Sequence, residues 1–195
     1  MSQTLEFYFD FQSPYSYLAH SQLGALGAPV RLMPFAVLPL MKIVGNTPTT
    51  VICAVKRAYA GKDLGRWALR YGIPLSMPDQ KGLDAELLLR VVTAARDETT
   101  KATATDAIFK AVWGGIGDPS PAGLEAVLAA RGLPAAKLIA AAGEPEAAEA
   151  LTAATEAAAA RGVFGSPTMF VGDEMFFGND RLEWVRECLA AKEAA

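Results

Sequence analysis

A mixed α/β fold is what the 195-residue sequence predicts: a strand–helix–strand unit, a long helical block, then a strand–strand–helix unit. Three observations carry this expectation. An aromatic-rich strand over Leu5–Phe11 runs directly into a helix opened by Pro14. From Leu38 to about Arg161 the pattern is helical, cut by Gly and Pro, with no convincing strand. Near the C-terminus two short apolar runs flank a Gly172-Asp173 turn. A chain of this length that is 52% hydrophobic can bury a sizeable core, as one domain or as one domain carrying an insertion.

The first strand takes its aromatics and partial alternation from Phe7, Phe9 and Phe11. Pro14 suits the first helical position, since the N–H it lacks has no helical partner there anyway. Ser13 is then the natural N-cap. The helix it opens offers unpaired N–H groups and a positive dipole end to an anion beside Ser13, an anionic sulfur being one candidate. This helix is expected to end near Leu26-Gly27. Val30–Ala36 alternates as a second strand, which most simply makes a right-handed parallel unit with the first. Pro34 marks the end of that strand or an edge position.

In the helical block, Val51–Tyr71 reads as an amphipathic helix with Lys56, Arg57, Lys62 and Arg66 among its cations, stopped at Gly72-Ile73-Pro74. Asp84–Asp97 carries the stripe Leu87, Leu88, Val91, Val92 and Ala95. Thr103–Trp113 ends at Gly114-Gly115. Ser120 and Pro121 form an N-cap and first-position pair for the next helix, which stops at Gly132-Leu133-Pro134. Pro145–Arg161 is an alanine-rich helix. Thr168–Val171 and Glu174–Phe177 form an antiparallel hairpin, and a last helix over Asp180–Ala191 buries Leu182, Val185 and Leu189. Asp180 and Glu183 have the spacing of a capping box. The order β-α-β, helices, β-β-α is that of a thioredoxin-like fold: residues 1–37 and 162–195 form the discontinuous thioredoxin-like domain, and residues 38–161 form an all-helical insertion.

Several function classes are disfavoured. With 18 Lys+Arg against 21 Asp+Glu, the net charge of −3 gives no general attraction to nucleic acid. No apolar run approaches the roughly 18 residues that span a bilayer, and no signal segment opens the chain, so a cytoplasmic location is expected. Cys53 and Cys188 form no C-x-x-C pair and read as small apolar residues. His20 is the single histidine, which removes multi-histidine metal sites. Its seven-residue offset from Ser13 is about 10 Å along a helix, too far for a general base, which disfavours a serine hydrolase.

Two stretches carry a specific resemblance: Phe9-Asp-Phe-Gln-Ser-Pro-Tyr-Ser-Tyr-Leu-Ala19, and Arg161-Gly-Val-Phe-Gly-Ser-Pro-Thr-Met-Phe-Val171 continuing to Phe177-Gly-Asn-Asp-Arg-Leu182. They resemble the 2-hydroxychromene-2-carboxylate isomerases and the related kappa-class glutathione transferases of the DsbA-like family. Gly45-Asn46-Thr-Pro48 and Asp63-Leu-Gly-Arg66-Trp67-Ala-Leu-Arg-Tyr71-Gly72 are similar to that family's insertion. Around Lys81–Glu86 the chain departs from it, lacking the family's usual Asn at the entry to the following helix.

The resemblance implies a site. Ser13-Pro14-Tyr15-Ser16 stands where thioredoxins have C-x-x-C, so Ser13 replaces the nucleophilic cysteine and donates a hydrogen bond to the thiol of glutathione, the implied cofactor. Ser166 precedes an expected cis Pro167 and offers its backbone to the glutathione peptide. Asn179, Asp180 and Arg181 match the site for the γ-glutamyl end. Asn46 is a weaker match, and Tyr15, Lys56, Arg57 and Lys62 are candidates to face an anionic aromatic substrate. The implied activity is isomerisation of an unsaturated aromatic 2-oxo acid by reversible thiolate addition, with no metal, by a homodimer. Conjugation of electrophiles and a non-catalytic glutathione-binding module are the alternatives. Disulfide exchange is disfavoured because Ser13 and Ser16 cannot form a disulfide.

Overall fold

The computed structural model describes residues 3–77 and 82–193. Its centre is a four-stranded mixed sheet in the order β2-β1-β3-β4, formed by β1 (Leu5–Phe9), β2 (Val30–Pro34), β3 (Thr168–Val171) and β4 (Glu174–Phe177). β1 and β2 pair in parallel, Leu5 against Val30 and Phe9 against Pro34, while β1–β3 and β3–β4 are antiparallel. Pro34 therefore sits where its missing N–H costs least, at the end of an edge strand.

Alternation along β1 and β3 separates two cores. Leu5, Phe7, Phe9, Met169 and Val171 face a large one, with Leu88 and Val92 of α5 (Ala85–Thr93), Ile108, Phe109 and Val112 of α6 (Glu98–Trp113), and Leu182, Val185 and Leu189 of the last helix. Tyr8 and Phe170 face a smaller one with Phe35, Val37, Leu40, Ala158 and Val163. Both faces being covered explains why β1 is buried at every position.

The first helix, α1 (Pro14–His20), begins at the expected N-cap but ends early. The Ser21 hydroxyl bonds back to the Leu18 carbonyl at 2.7 Å and the Gln22 N–H to Ala19, so the chain tightens into a 3-10 turn over Leu23–Leu26, closed by Gly27 at φ +73°. After α2 (Val37–Val44), the expected long helix is two: α3 (Thr49–Ile52) and α4 (Ala54–Tyr71), parted at an extended Cys53. Asp97 does not lie within a helix. It caps α6 through Thr100 N–H at 2.8 Å, which ends α5 sooner and starts α6 earlier than its apolar stripe suggests.

Ser120 caps the turn ahead of the helix, its Oγ accepting Gly123 N–H at 3.4 Å and its carbonyl Leu124 N–H at 2.9 Å, and is not the N-cap of the helix itself. Asp118 draws its N–H and O–H into a turn at 2.9 and 2.8 Å, and α7 (Leu124–Ala129) starts after Gly123. The sequence reading gave no helix to the alanine-rich stretch before Pro145, where α8 (Ala135–Gly143) forms, ahead of α9 (Pro145–Ala160). The last helix, α10 (Leu182–Glu193), follows a 3-10 turn over Asn179–Arg181. Asp180 and Glu183 form no capping box. Asp180 lies inside the turn and pairs with Arg181 at 2.5 Å, while Glu183 lies 3.8 Å from Arg70.

Candidate functional site

The site forms where the C-terminal end of β1, the start of α1 and the approach to β3 meet. Ser13 has extended backbone angles, and its Oγ accepts the Ser16 N–H at 3.2 Å, a capping bond. Its own O–H donates to the Ser166 carbonyl at 2.9 Å. Ser166 and Pro167 are joined by a cis peptide bond. The Ser166 hydroxyl in turn lies 2.7 Å from Ser16 Oγ and accepts the Asp10 N–H at 2.9 Å. Of the first-turn N–H groups of α1, Pro14 has none and that of Ser16 is spent on Ser13. Among the described residues, Tyr15 N–H is the one left without a partner.

The 164–167 segment brings in Asn46 and the Asn179–Arg181 turn, while Tyr15, Lys56 and Arg57 bond to α4 or α3 instead. The Asn46 amide donates to the Phe164 carbonyl at 2.7 Å, and Gly178 N–H donates to the Pro167 carbonyl at 3.0 Å, bringing the Asn179–Arg181 turn alongside. Gly178 is required here: at φ +98°, a Cβ would sit 2.6 Å from Asp180 Oδ1. Asn179 is buried, and its carbonyl accepts from Tyr71 Oη at 3.1 Å. The Tyr15 hydroxyl donates to Asp63 of α4 at 3.1 Å. Burial and then that bond hold its pKa above the usual phenol value, with smaller contributions from Asp63 charge, Tyr59 and Asp180. Lys56 and Arg57, on the first turn of α4, bond back to Thr49 and to the Val51 carbonyl of α3. Lys81 lies outside the described residues, while Asp84 caps α5 through Leu87 N–H at 2.9 Å.

Sequence reasoning missed Asp10. Its side chain is completely buried between Phe9 and Phe11 in the chain, and its two oxygens accept Gln12 N–H and Val37 N–H, each at 2.8 Å. A carboxylate placed among strand aromatics was the available signal, since a buried charge needs partners. Burial raises its pKa to about 6, against the opposing effect of the Val37 and Gln12 N–H bonds. His20 moves the other way. It packs on Phe109 at 5.0 Å and Phe7 at 6.3 Å, and burial lowers its pKa to about 4, with Asp106 raising it and Lys110 lowering it by less.

These two groups predict opposing pH effects on stability. Asp10 holds its proton more tightly folded than unfolded, so stability from its protonated form is lost as pH rises through about 6. The His20 folded pKa is depressed, so its contribution is present above the unfolded value near 6.5 and lost as pH falls towards about 4. Urea unfolding between pH 4.5 and 7 should show a shallow dependence for the native chain. Asp10→Asn should steepen the rise of stability with pH, and His20→Gln should convert it to a fall. Parallel profiles for all three would refute both assignments.

Residues 4–190 match the family model of the DsbA-like thioredoxin domain. A 2-hydroxychromene-2-carboxylate isomerase of Pseudomonas putida is 36% identical over 184 residues, covering 91% of this chain and 90% of that protein. A solved structure of a 2-hydroxychromene-2-carboxylate isomerase superposes with a TM-score of 0.88 at 33% identity, over 96% of this chain and 95% of the other. A kappa glutathione transferase of Caenorhabditis elegans is 37% identical over 79 residues, 38% of this chain and 34% of that protein. The four-stranded sheet with its helical additions, and identity sustained over nine-tenths of both chains, have one conclusion: this chain is an isomerase of the DsbA-like thioredoxin family, belonging with the 2-hydroxychromene-2-carboxylate isomerases.

Proposed function

We propose that the chain is a glutathione-dependent cis/trans isomerase of 2-hydroxychromene-2-carboxylate or a similar unsaturated aromatic 2-oxo acid. The carrying observation is the Ser13 hydroxyl: it is placed to donate, and among the described residues no base bonds to it. His20, the single histidine, is packed on Phe109 instead. Ser13 is thus suited to hold a sulfur, not to attack as a nucleophile.

The groups around Ser13 fit glutathione. The Tyr15 N–H and Ser13 O–H would face its sulfur, the Ser166 backbone its peptide, Asp180 its ammonium, and Asn46 its far end. When bound, glutathione supplies a thiolate that adds reversibly to the unsaturated acid and is eliminated after rotation about the former double bond. Ser13 holds that charge. A thiol with pKa near 8.5 is only about 3% ionised at pH 7. A hydrogen bond to a charged acceptor contributes roughly 1.5–3 kcal/mol, but Ser13 gives up its bond to the neutral Ser166 carbonyl, worth about 1 kcal/mol. The net gain of about 0.5–2 kcal/mol lowers the thiol pKa by roughly one unit. The same exchange frees the Ser166 carbonyl to accept a peptide N–H.

Arg181 competes with the ligand for Asp180, at 2.5 Å. Asp180→Ala should weaken glutathione binding about tenfold, the loss of a charge-assisted bond partly offset by that competition, and calorimetric titration measures it. Unchanged affinity would remove Asp180 from the site.

A second activity is favoured by the kappa-class relative: conjugation, in which the thiolate adds to an electrophile and stays. Turnover of a chromene carboxylate with glutathione separates the two, because isomerisation leaves free thiol constant and conjugation consumes it. Loss of thiol in step with product would overturn the isomerase assignment. We place the enzyme in the cytoplasm, where glutathione is abundant, as a homodimer. The exposed Ile43, Val51, Ile52 and Val55 of α2–α4 offer an apolar surface for the second copy.

A further inference from the structure

The Ser166 side chain is bonded to the chain on both sides of Ser13. Its Oγ accepts the N–H of Asp10, ahead of Ser13, at 2.9 Å. It also meets Oγ of Ser16, just inside α1, at 2.7 Å, where Ser16 is fully buried. The Asp10 carboxylate extends the connection, holding Gln12 N–H and, across to α2, Val37 N–H at 2.8 Å each. The residue whose carbonyl accepts the Ser13 proton thus also fixes, through its hydroxyl, the loop before Ser13 and the helix turn after it.

We infer that the Ser166 hydroxyl is a positioning group for Ser13, a role separate from the backbone pairing of Ser166 with a ligand. It rests on the proposed donor role of Ser13. Without the hydroxyl, Asp10 N–H and Ser16 Oγ lose a common partner in a largely buried setting. The Gln12–Ser13 link then keeps two ties, Gln12 N–H to the Asp10 carboxylate and Ser13 N–H to the Asp10 carbonyl, both on a residue whose own N–H has lost its partner. A shift of about 1 Å in a group that must meet a reacting atom can cost on the order of a hundredfold in rate.

Threonine and valine at position 166 have the same shape and differ in the hydroxyl, so Ser166→Thr and Ser166→Val form the test. Amide hydrogen exchange of Asp10 reads the bracket directly. The ultraviolet absorbance of bound glutathione thiolate against pH, with kcat and KM on 2-hydroxychromene-2-carboxylate, reads its effect on Ser13. Relative to the threonine variant, the valine variant should exchange Asp10 N–H and turn over differently: about tenfold faster exchange, about tenfold lower kcat, KM for glutathione within about threefold, and a bound-thiol pKa roughly one unit higher. Equal exchange in the two variants overturns the inference. So does faster exchange with equal kcat and thiol pKa, which marks a merely structural bond. If the native protein shows no thiolate signal with glutathione, the glutathione assignment fails by itself. The exchange ratio then decides whether the hydroxyl holds the Ser13 loop: about tenfold sustains it and equality overturns it.

Discussion

Ser13→Ala is expected to lower kcat by roughly 10- to 100-fold while changing glutathione affinity only a few-fold. The size follows from the charge that Ser13 is proposed to serve. Removing one donor from an anionic sulfur forfeits the charge-assisted part of its stabilisation, whereas the contacts proposed for the rest of the tripeptide, at Ser166, Asp180 and Asn46, would stay in place. The substitution also removes an N-cap, at a cost of about 1 kcal/mol, and leaves the Ser166 carbonyl without its donor. A melting curve must therefore accompany the kinetics. The thiolate absorbance of bound glutathione should move to higher pH by about one unit. Native turnover in a folded alanine variant would exclude Ser13 from the chemistry, and lost turnover with an unmoved thiol pKa would assign it to geometry instead.

The elements of the fold were legible wherever local chemistry and tertiary packing agreed. Ser13-Pro14 marks the start of α1 because an N-cap hydroxyl and a proline both act within one turn, and Gly172-Asp173 marks the hairpin for a similar reason. The errors fall where a side chain has two uses. Asp97 closes one apolar stripe yet caps the next helix, and Ser120 caps a turn ahead of α7 while donating to Asp118. Such choices rest on which backbone N–H lies within reach, and spacing alone does not carry that.

The site divides in the same way. The motif around Ser13 and the Ser166-Pro167 pair could be found in sequence because they are contiguous. Asp10 could not be assigned a role, since its partner Val37 is fixed by how α2 packs beside the sheet. Nor did sequence reveal that Tyr15 reaches Asp63 in α4, or that Lys56 and Arg57 bond back to α3. Helical amphipathicity locates cations on a face but not the direction in which long side chains turn.

Phe109→Ala should destabilise the chain by about 3–5 kcal/mol, the usual cost of emptying a phenylalanine site in a packed core. Phe109 is fully buried and belongs to α6, within the helical block. Its ring meets Phe11 at 4.7 Å, His20 at 5.0 Å, Phe9 at 5.4 Å and Tyr17 at 6.3 Å, all from β1, α1 or the loop joining them. The nearby Trp113 indole N–H donates to the Phe11 carbonyl at 2.7 Å, a further tie between the helical block and the strand that leads to Ser13. Because one core contains residues from both parts of the chain, we propose that the helical insertion and the thioredoxin-like domain unfold together. A chain of this size loses about 2–4 °C of Tm per kcal/mol, so the variant should melt roughly 6–20 °C lower in a single transition. Loss of one phase while another keeps the native Tm would show separate units. Below its melting point the variant should also lose activity, since Phe9 and Phe11 flank the Asp10 carboxylate that holds the Ser13 loop. A variant that melts early but keeps native kcat would show that the aromatic cluster supports the fold without setting Ser13.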